Sequence, residues 1–367
     1  MRVIFPFTYF DEYYALRYRE QLMAIADHVE LLTLFITIGK ETTLEHENIK
    51  CVYDRIQPPS WEPNPLYVNN MKDNFAKYSF YNYWGKLPLI NRLSKDTKCL
   101  DGDIVLGMSG AGWQQVFHNL IGDRKGIPVV HRMRGNGRVE RKLNNNIVNR
   151  IFNDTLENIS YRMYDHFIPI SKDFKKILID RGVSKNKISN PIGLGVNTDI
   201  FSPSLEEGEY VGYFGRMSPE KGSDFLLKLM WKTPFVKYLI AGSNNGEVVF
   251  PSNVTYMGQV DKTSMSDLIN QCRMILMPSR SEGVANGILE AYACGKPVLG
   301  SVNAFADSLP IYLPPLELYL PLWVEAVRDA ETQCFRSISK QARRWACEHS
   351  WDKFGKKMTN ELRTVIE

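Results

Sequence analysis

Met277-Pro278-Ser279-Arg280-Ser281-Glu282-Gly283-Val284-Ala285-Asn286-Gly287-Ile288-Leu289-Glu290-Ala291-Tyr292-Ala293-Cys294-Gly295-Lys296-Pro297-Val298-Leu299 decides how the chain is read. An apolar strand ends at Met277 and runs into a polar turn. A helix opens near Asn286, and Gly295-Lys296-Pro297 breaks it before another apolar strand. Amides at a helix start carry partial positive charge and bind phosphate. Glu282 stands at the turn and Glu290 one helical turn in, where carboxylates can accept hydrogen bonds from the hydroxyls of a sugar and a ribose. Diphosphate on the helix start with a carboxylate at either end describes a site for a nucleotide-sugar.

Working outward, apolar runs of strand length alternate with helix-like segments. Strands are predicted at Val3–Phe7, Val29–Phe35, Ile104–Gly107, Val129–Arg132, His166–Ile170, Tyr210–Phe214, Tyr238–Ala241, Val254–Met257, Met274–Met277 and Pro297–Gly300. Near-continuous apolar strands separated by helices imply α/β architecture with parallel sheets covered on both faces. Asn190-Pro191-Ile192-Gly193 and Phe201-Ser202-Pro203 punctuate a polar stretch, so a boundary is expected around 190–210. The reading is two Rossmann-like α/β domains, 1–195 and 196–349, facing a central cleft, with a last helix at about 350–367. Residues 58–86, rich in Pro, Asn, Tyr and Trp, read as a long irregular insertion.

The 367 residues suit two domains, and 44% apolar with 23% charged residues is ordinary for a soluble protein. A net charge of +4 argues against a dedicated nucleic-acid binder. No apolar run reaches the ~18 residues of a membrane span, and Met1-Arg2-Val3-Ile4-Phe5 reads as a first strand rather than a signal peptide. Six scattered cysteines (51, 99, 272, 294, 334, 347) form no Cys-x-x-Cys pair. Zinc and a disulfide framework are not expected, and the compartment is read as reducing and cytoplasmic. A peripheral membrane contact is compatible with a local basic face. The aromatic stretches Trp61–Trp84 and Tyr9–Tyr18 are read as core and loop packing, as an acceptor groove or as a membrane-facing surface.

A second motif, Tyr213-Phe214-Gly215-Arg216-Met217-Ser218-Pro219-Glu220-Lys221-Gly222, follows a strand and leads into the amphipathic segment Asp224–Met230. Arg216 offers a planar fork of donors and Lys221 a point charge, a pair that suits a leaving diphosphate. Gly215-Arg216…Glu220-Lys221-Gly222, then Pro278-Ser279…Glu282-Gly283…Leu289-Glu290-Ala291…Gly295-Lys296-Pro297-Val298, resembles family 4 of the retaining glycosyltransferases, which have the GT-B fold. Ile168-Pro169-Ile170-Ser171-Lys172, the segment from Asn190 to Pro203, and Ser350-Trp351 extend the likeness over about 165–367.

The resemblance implies roles. Arg216 and Lys221 match the pair that holds the donor diphosphate and stabilises the leaving group. Glu282 matches the carboxylate on the donor sugar, and Glu290 the one on the ribose. Gly215, Gly283 and the backbone of Val284, Ala285 and Asn286 line the donor site. The acceptor, a glycan or lipid-linked molecule, falls to the first domain. The donor is a GDP- or UDP-sugar acting as substrate, with no cofactor and no metal. The chain departs from the family in Gly283-Val284-Ala285, where Gly-Phe-Gly is usual, and in Pro6-Phe7-Thr8-Tyr9-Phe10, which replaces a glycine pair. In the first domain the slot of a frequent catalytic histidine holds Arg134, beside Gly135-Asn136-Gly137, and His131 comes three residues early. Arg134 is read as a contact for an acceptor phosphate or carboxylate, and His131 as either the catalytic histidine or a strand histidine. His118, Asp101 and Asp103 have no motif support. The alternatives are a nucleotide-sugar-binding scaffold without catalysis and, on the same architecture, a sugar-nucleotide epimerase or a phosphorylase.

Overall fold

The computed structural model describes residues 1–7, 12–36, 44–53, 100–108, 112–134, 147–205, 208–244, 248–280, 282, 284–305 and 309–367. The expected insertion at 58–86, the aromatic stretch 61–84, part of 9–18, Gly135-Asn136-Gly137 and Gly283 lie outside them.

The chain divides into two compact units, Met1–Ile192 with Gly355–Glu367, and Gly193–Phe354. The sequence pattern places these divisions after 195 and before 350. Unit 1 holds β1 (Arg2–Phe7), α1 (Glu12–Ala26), β2 (Leu31–Ile36), β3 (Ile49–Tyr53), β4 (Ile104–Met108), α2 (Gly112–Lys125), β5 (Val129–Met133), α3 (Ile147–Met163), β6 (His166–Pro169) and α4 (Lys172–Asp180). Its strands form one sheet in the order β3-β2-β1-β4-β5-β6, and every pairing is parallel. β4 and β5 are buried at every position, as expected for central strands covered by helices on both faces. β3 was not predicted. It is an edge strand, Lys50 is exposed, and Ile49, Cys51 and Val52 are half-buried, so Lys50 cuts its apolar run to three residues.

Unit 2 holds β7 (Tyr210–Phe214), α5 (Ser223–Lys232), β8 (Tyr238–Ala241), β9 (Val254–Tyr256), α6 (Lys262–Asn270), β10 (Cys272–Met277), α7 (Asn286–Ala293), β11 (Val298–Gly300), α8 (Leu320–Asp329) and α9 (Arg336–Glu348). Its parallel sheet runs β11-β10-β7-β8-β9. Trp323 is its largest fully buried side chain, packed edge-on to Phe225 at 5.4 Å with Leu226, Leu229, Met230, Tyr238 and Leu276 in the same core. The last helix, α10 (Trp351–Ile366), begins within unit 2 and continues in unit 1.

Both sheets reverse their strand order once, between β1 and β4 and between β7 and β10. In a doubly wound sheet the loops beyond the carboxyl ends of such a strand pair diverge to opposite faces and leave room for a ligand. In unit 2 those two loops are Gly215–Gly222 and Pro278–Ala285, the two motifs singled out in the sequence.

Candidate functional site: the loops beyond β7 and β10

The chain leaves β7 at Phe214, and the Gly215 amide donates to the Ala241 carbonyl at 2.9 Å. Gly242 takes a φ of 144°, and a Cβ there would lie 2.0 Å from the Gly215 oxygen. Only glycine lets these two loops cross so closely. The buried Tyr213 hydroxyl donates to the Arg216 carbonyl at 2.8 Å, which fixes the backbone under the arginine. Burial first, and the charge of Glu282 second, push the Tyr213 pKa above the usual tyrosine value, so it remains an O–H donor.

Pro219–Lys221 form a short 3-10 turn, closed by Gly222 in the left-handed region at φ 74°. A Cβ on Gly222 would fall 2.1 Å from the Pro278 carbonyl oxygen. The glycine therefore allows the first loop to lie directly against the start of the second. Arg280 stitches them further. Its amide donates to the Glu220 carbonyl at 2.9 Å, and its guanidinium forks onto both Asp224 oxygens at 2.7 and 2.8 Å. The Arg280 hydrogen bonds hold the Asp224 carboxyl below its usual pKa.

This close approach brings Lys221 onto Glu282, with Nζ to Oε1 at 2.5 Å. The Ser279 hydroxyl donates to the same oxygen at 2.7 Å. The Glu282 side chain is only 7% exposed and that of Lys221 24%. Arg216 is different: its side chain is 65% exposed and faces Glu220, four residues on, at 3.3 Å. An exposed pair of that kind is weak and leaves the guanidinium accessible to an anion.

At the other end of the second loop, α7 has Ala285 as its N-cap, which makes no side-chain capping hydrogen bond. Four N–H groups at a helix start lack intrahelical partners, so this end is suited to an anion. Val284 is half-buried, Ala285 buried and Asn286 exposed, and Glu290 stands half-buried on the following turn. Gly287 would place a Cβ 3.0 Å from Met277 Cε, so its lack of a side chain lets α7 pack against β10. The sequence-predicted donor residues described in unit 2 thus cluster at one end of one sheet. Ser279, Arg280 and Asp224 had no assigned role. Ser279 three residues before Glu282, within Pro-Ser…Glu, was the signal available for the first.

In unit 1, Arg134 follows β5 directly. Its guanidinium lies 4.8 Å above the Tyr18 ring, and with the Gln21 amide oxygen turned toward it, both terminal nitrogens donate to that oxygen at 3.0 and 3.2 Å. His131 and Arg132 point to opposite sides of the sheet, as strand alternation requires. Arg132 is fully buried, donates to the Ile192 carbonyl at 3.0 Å and touches Met358. His131 is 1% exposed, enclosed by Tyr161, Tyr164 and Phe167 with ring centroids 4.8 to 6.0 Å away. Burial lowers its pKa to about 4. A neutral, enclosed imidazole cannot touch a substrate, so the reading of His131 as a catalytic residue gives way to that of a core histidine. Asp101 and Asp103 hold Arg2 at 2.7 and 2.8 Å.

Two parallel doubly wound units, joined by one chain crossing after Ile192 and a second within the last helix, give this chain the GT-B fold. Solved structures agree across the whole chain. It is similar to Anabaena HepE in complex with UDP, at 15% identity and a TM-score of 0.70 over 99% of this chain and 100% of that one. HepE is also solved in complex with UDP-glucose. Sucrose-phosphate synthase from Thermosynechococcus elongatus gives 16% identity and 0.70 over 100% and 99%. Residues 208–309, the segment that carries both motifs, match the family model described as Glycosyl transferases group 1. The D-inositol 3-phosphate glycosyltransferase of Mycobacterium leprae is 26% identical over 194 residues, 43% of this chain and 45% of that protein. The Mycolicibacterium smegmatis protein of the same name is 28% identical over 142 residues, 32% of each. The chain thus spans less than half the length of the curated relatives it matches. Among the described residues no helix is long and apolar enough to cross a membrane.

Proposed function

We propose that the protein transfers a sugar from a nucleotide-sugar, such as a UDP- or GDP-sugar, to a glycan or lipid-linked acceptor with retention of configuration. The observation that carries this is the gathering of Arg216, Lys221, Glu282 and an uncapped helix start at the strand reversal of one parallel sheet. The chemistry is departure of a nucleoside diphosphate from an anomeric carbon. Charge grows on the leaving phosphate, and fixed cations there stabilise the transition state more than the ground state. Arg216, Lys221 and the amides from Asn286 onward supply that charge without a metal or cofactor. Glu282 takes the donor-sugar hydroxyls and Glu290 the ribose, with Gly215, Gly283, Val284 and Ala285 lining the donor.

Unit 1 supplies the acceptor contacts in this reading. Arg134, braced by Tyr18 and Gln21, suits a phosphate or carboxylate, and the relatives' name carries an inositol phosphate. The bound UDP and UDP-glucose of HepE make uridine nucleotides the first donors to try. A panel of radiolabelled UDP- and GDP-hexoses tests the proposal, read as transfer or slow hydrolysis, with thermal shift by the free nucleoside diphosphates alongside. Turnover of one donor with a raised melting temperature is expected. A raised melting temperature without turnover would favour the non-catalytic scaffold, and neither response would refute both.

A further inference from the structure

Ser279 follows β10 directly after Pro278 and is wholly buried. Its hydroxyl has a single proton, donated to Glu282 Oε1 at 2.7 Å. Its carbonyl accepts from the hydroxyl of Ser301, itself buried just beyond β11. The Ser301 amide in turn donates to the Met277 carbonyl at 3.0 Å. A relay of hydrogen bonds therefore runs from the paired ends of β10 and β11 out to the glutamate.

Lys221 is the other described side chain on Glu282, and it donates to the same oxygen. In the proposed reaction Lys221 serves the diphosphate, which draws its ammonium away from the carboxylate. A carboxylate with 7% exposure that loses its cation is costly unless another donor stays in place. Ser279 is that donor, anchored to the sheet and not required to move. With Oε1 committed to it, Oε2 is left to meet sugar hydroxyls.

We propose that Ser279, held by Ser301, is a positioning residue that fixes the Glu282 carboxylate against the donor sugar while Lys221 turns to the diphosphate. This rests on the glycosyltransferase reading above and deepens it.

The test uses the full chain and the same panel of UDP- and GDP-hexoses. Ser279→Ala, and Ser279→Cys as a volume-preserving variant with a weak donor, should each lower kcat about tenfold, the scale for losing a hydrogen bond to a charged group. Calorimetric Kd for UDP or GDP should stay within about twofold, because the bond serves the sugar and not the nucleotide. Combined with Glu282→Gln, Ser279→Ala should add no further loss, since both act through one carboxylate. Ser301→Ala should give a smaller loss in the same direction. Wild-type kcat in both Ser279 variants, or a loss that multiplies with that of Glu282→Gln, overturns the inference. A joint fall of kcat and nucleotide affinity overturns it too, because Ser279 then only supports the loop. A wild type that turns over no donor and binds neither UDP nor GDP is a distinct outcome: the glycosyltransferase reading fails first and removes this one with it.

Discussion

In unit 1 a histidine, a glutamate and an arginine lie inside the layer between sheet and helices. His131 sits among aromatic rings, and Glu157, only 2% exposed, is bound by Arg181 at 2.8 Å and by the Tyr161 hydroxyl at 2.7 Å. In unit 2, built on a sheet with the same single reversal of strand order, Arg216, Lys221, Glu282 and Glu290 crowd one end of the strands and stay partly accessible. In unit 2 the backbone at the strand ends shapes the site. Gly222 and Gly242 permit contacts a Cβ would forbid, and α7 starts without a side-chain cap. By contrast α6, which precedes β10 in the chain, is closed by Asp261, which accepts from the Ser264 amide at 2.9 Å. Closing that end stabilises a helix by about 1 kcal/mol, a gain that α7 forgoes.

The largest expected effect separates the two ends of the first loop. Arg216→Ala and Lys221→Ala should each lower turnover about a hundredfold, as for loss of one preorganised charge-stabilising group. Only Lys221→Ala should also cost stability, about 1–3 kcal/mol, because it leaves the nearly buried Glu282 without its cation. Denaturant midpoints measured beside turnover decide this. Near-wild-type transfer by both variants would remove the leaving-group role.

Next come the glutamates. Glu290→Gln should raise KM and weaken the free nucleoside diphosphate about tenfold, since the ribose is bound in ground and transition states alike. Glu282→Gln should lower kcat by a similar factor and leave nucleoside diphosphate affinity nearly unchanged. Equal affinities in wild type and both variants would take Glu290 away from the ribose.

A third prediction concerns unit 1. Burial, and then the charge of His131, lower the His118 pKa to about 3, and burial lowers that of His131 to about 4. Both folded values lie below the ordinary 6.5, so the unfolded chain takes up protons that the folded one refuses. Their contribution to stability is whole above pH 6.5 and falls as pH drops from there toward 4. By pH 5.5 each histidine should cost about 1 kcal/mol. His131→Phe should lose less stability than wild type between pH 7 and 5.5 in urea titrations. An identical loss would show that His131 does not stay neutral in the folded protein.

The smallest expected effect is none. Exhaustive chelation with EDTA should leave transfer unchanged if Arg216, Lys221 and the α7 amides carry the diphosphate. Loss of activity that magnesium or manganese restores would break that account.

The sheets were legible because central parallel strands are apolar at every position, as Tyr210–Phe214 and Tyr238–Ala241 are, and both were read to the residue. β3 escaped because it is short and Lys50 interrupts its apolar residues. The site was legible as two motifs but not as a contact. That Lys221 bonds Glu282 depends on Gly222 meeting Pro278 across two strands, which no spacing along the chain encodes. His131 shows the converse. A histidine in a strand reads the same at a surface or in a core, and the rings that enclose it come from residues about thirty positions later.

The last helix bears on how the molecule is made. Gly355 comes so near Ala24 that a Cβ would lie 1.9 Å from its carbonyl oxygen, Arg363 donates to the His28 carbonyl at 3.1 Å, and Glu361 bonds His166 at 2.8 Å. All of these partners belong to the unit that begins at residue 1. Synthesis proceeds from the N-terminus, and domains ordinarily fold in that order. Here the first unit waits for residues 355–367, while unit 2 is translated and free to fold in between. A nascent chain stalled anywhere before Gly355 therefore carries a first unit that lacks part of its own interior.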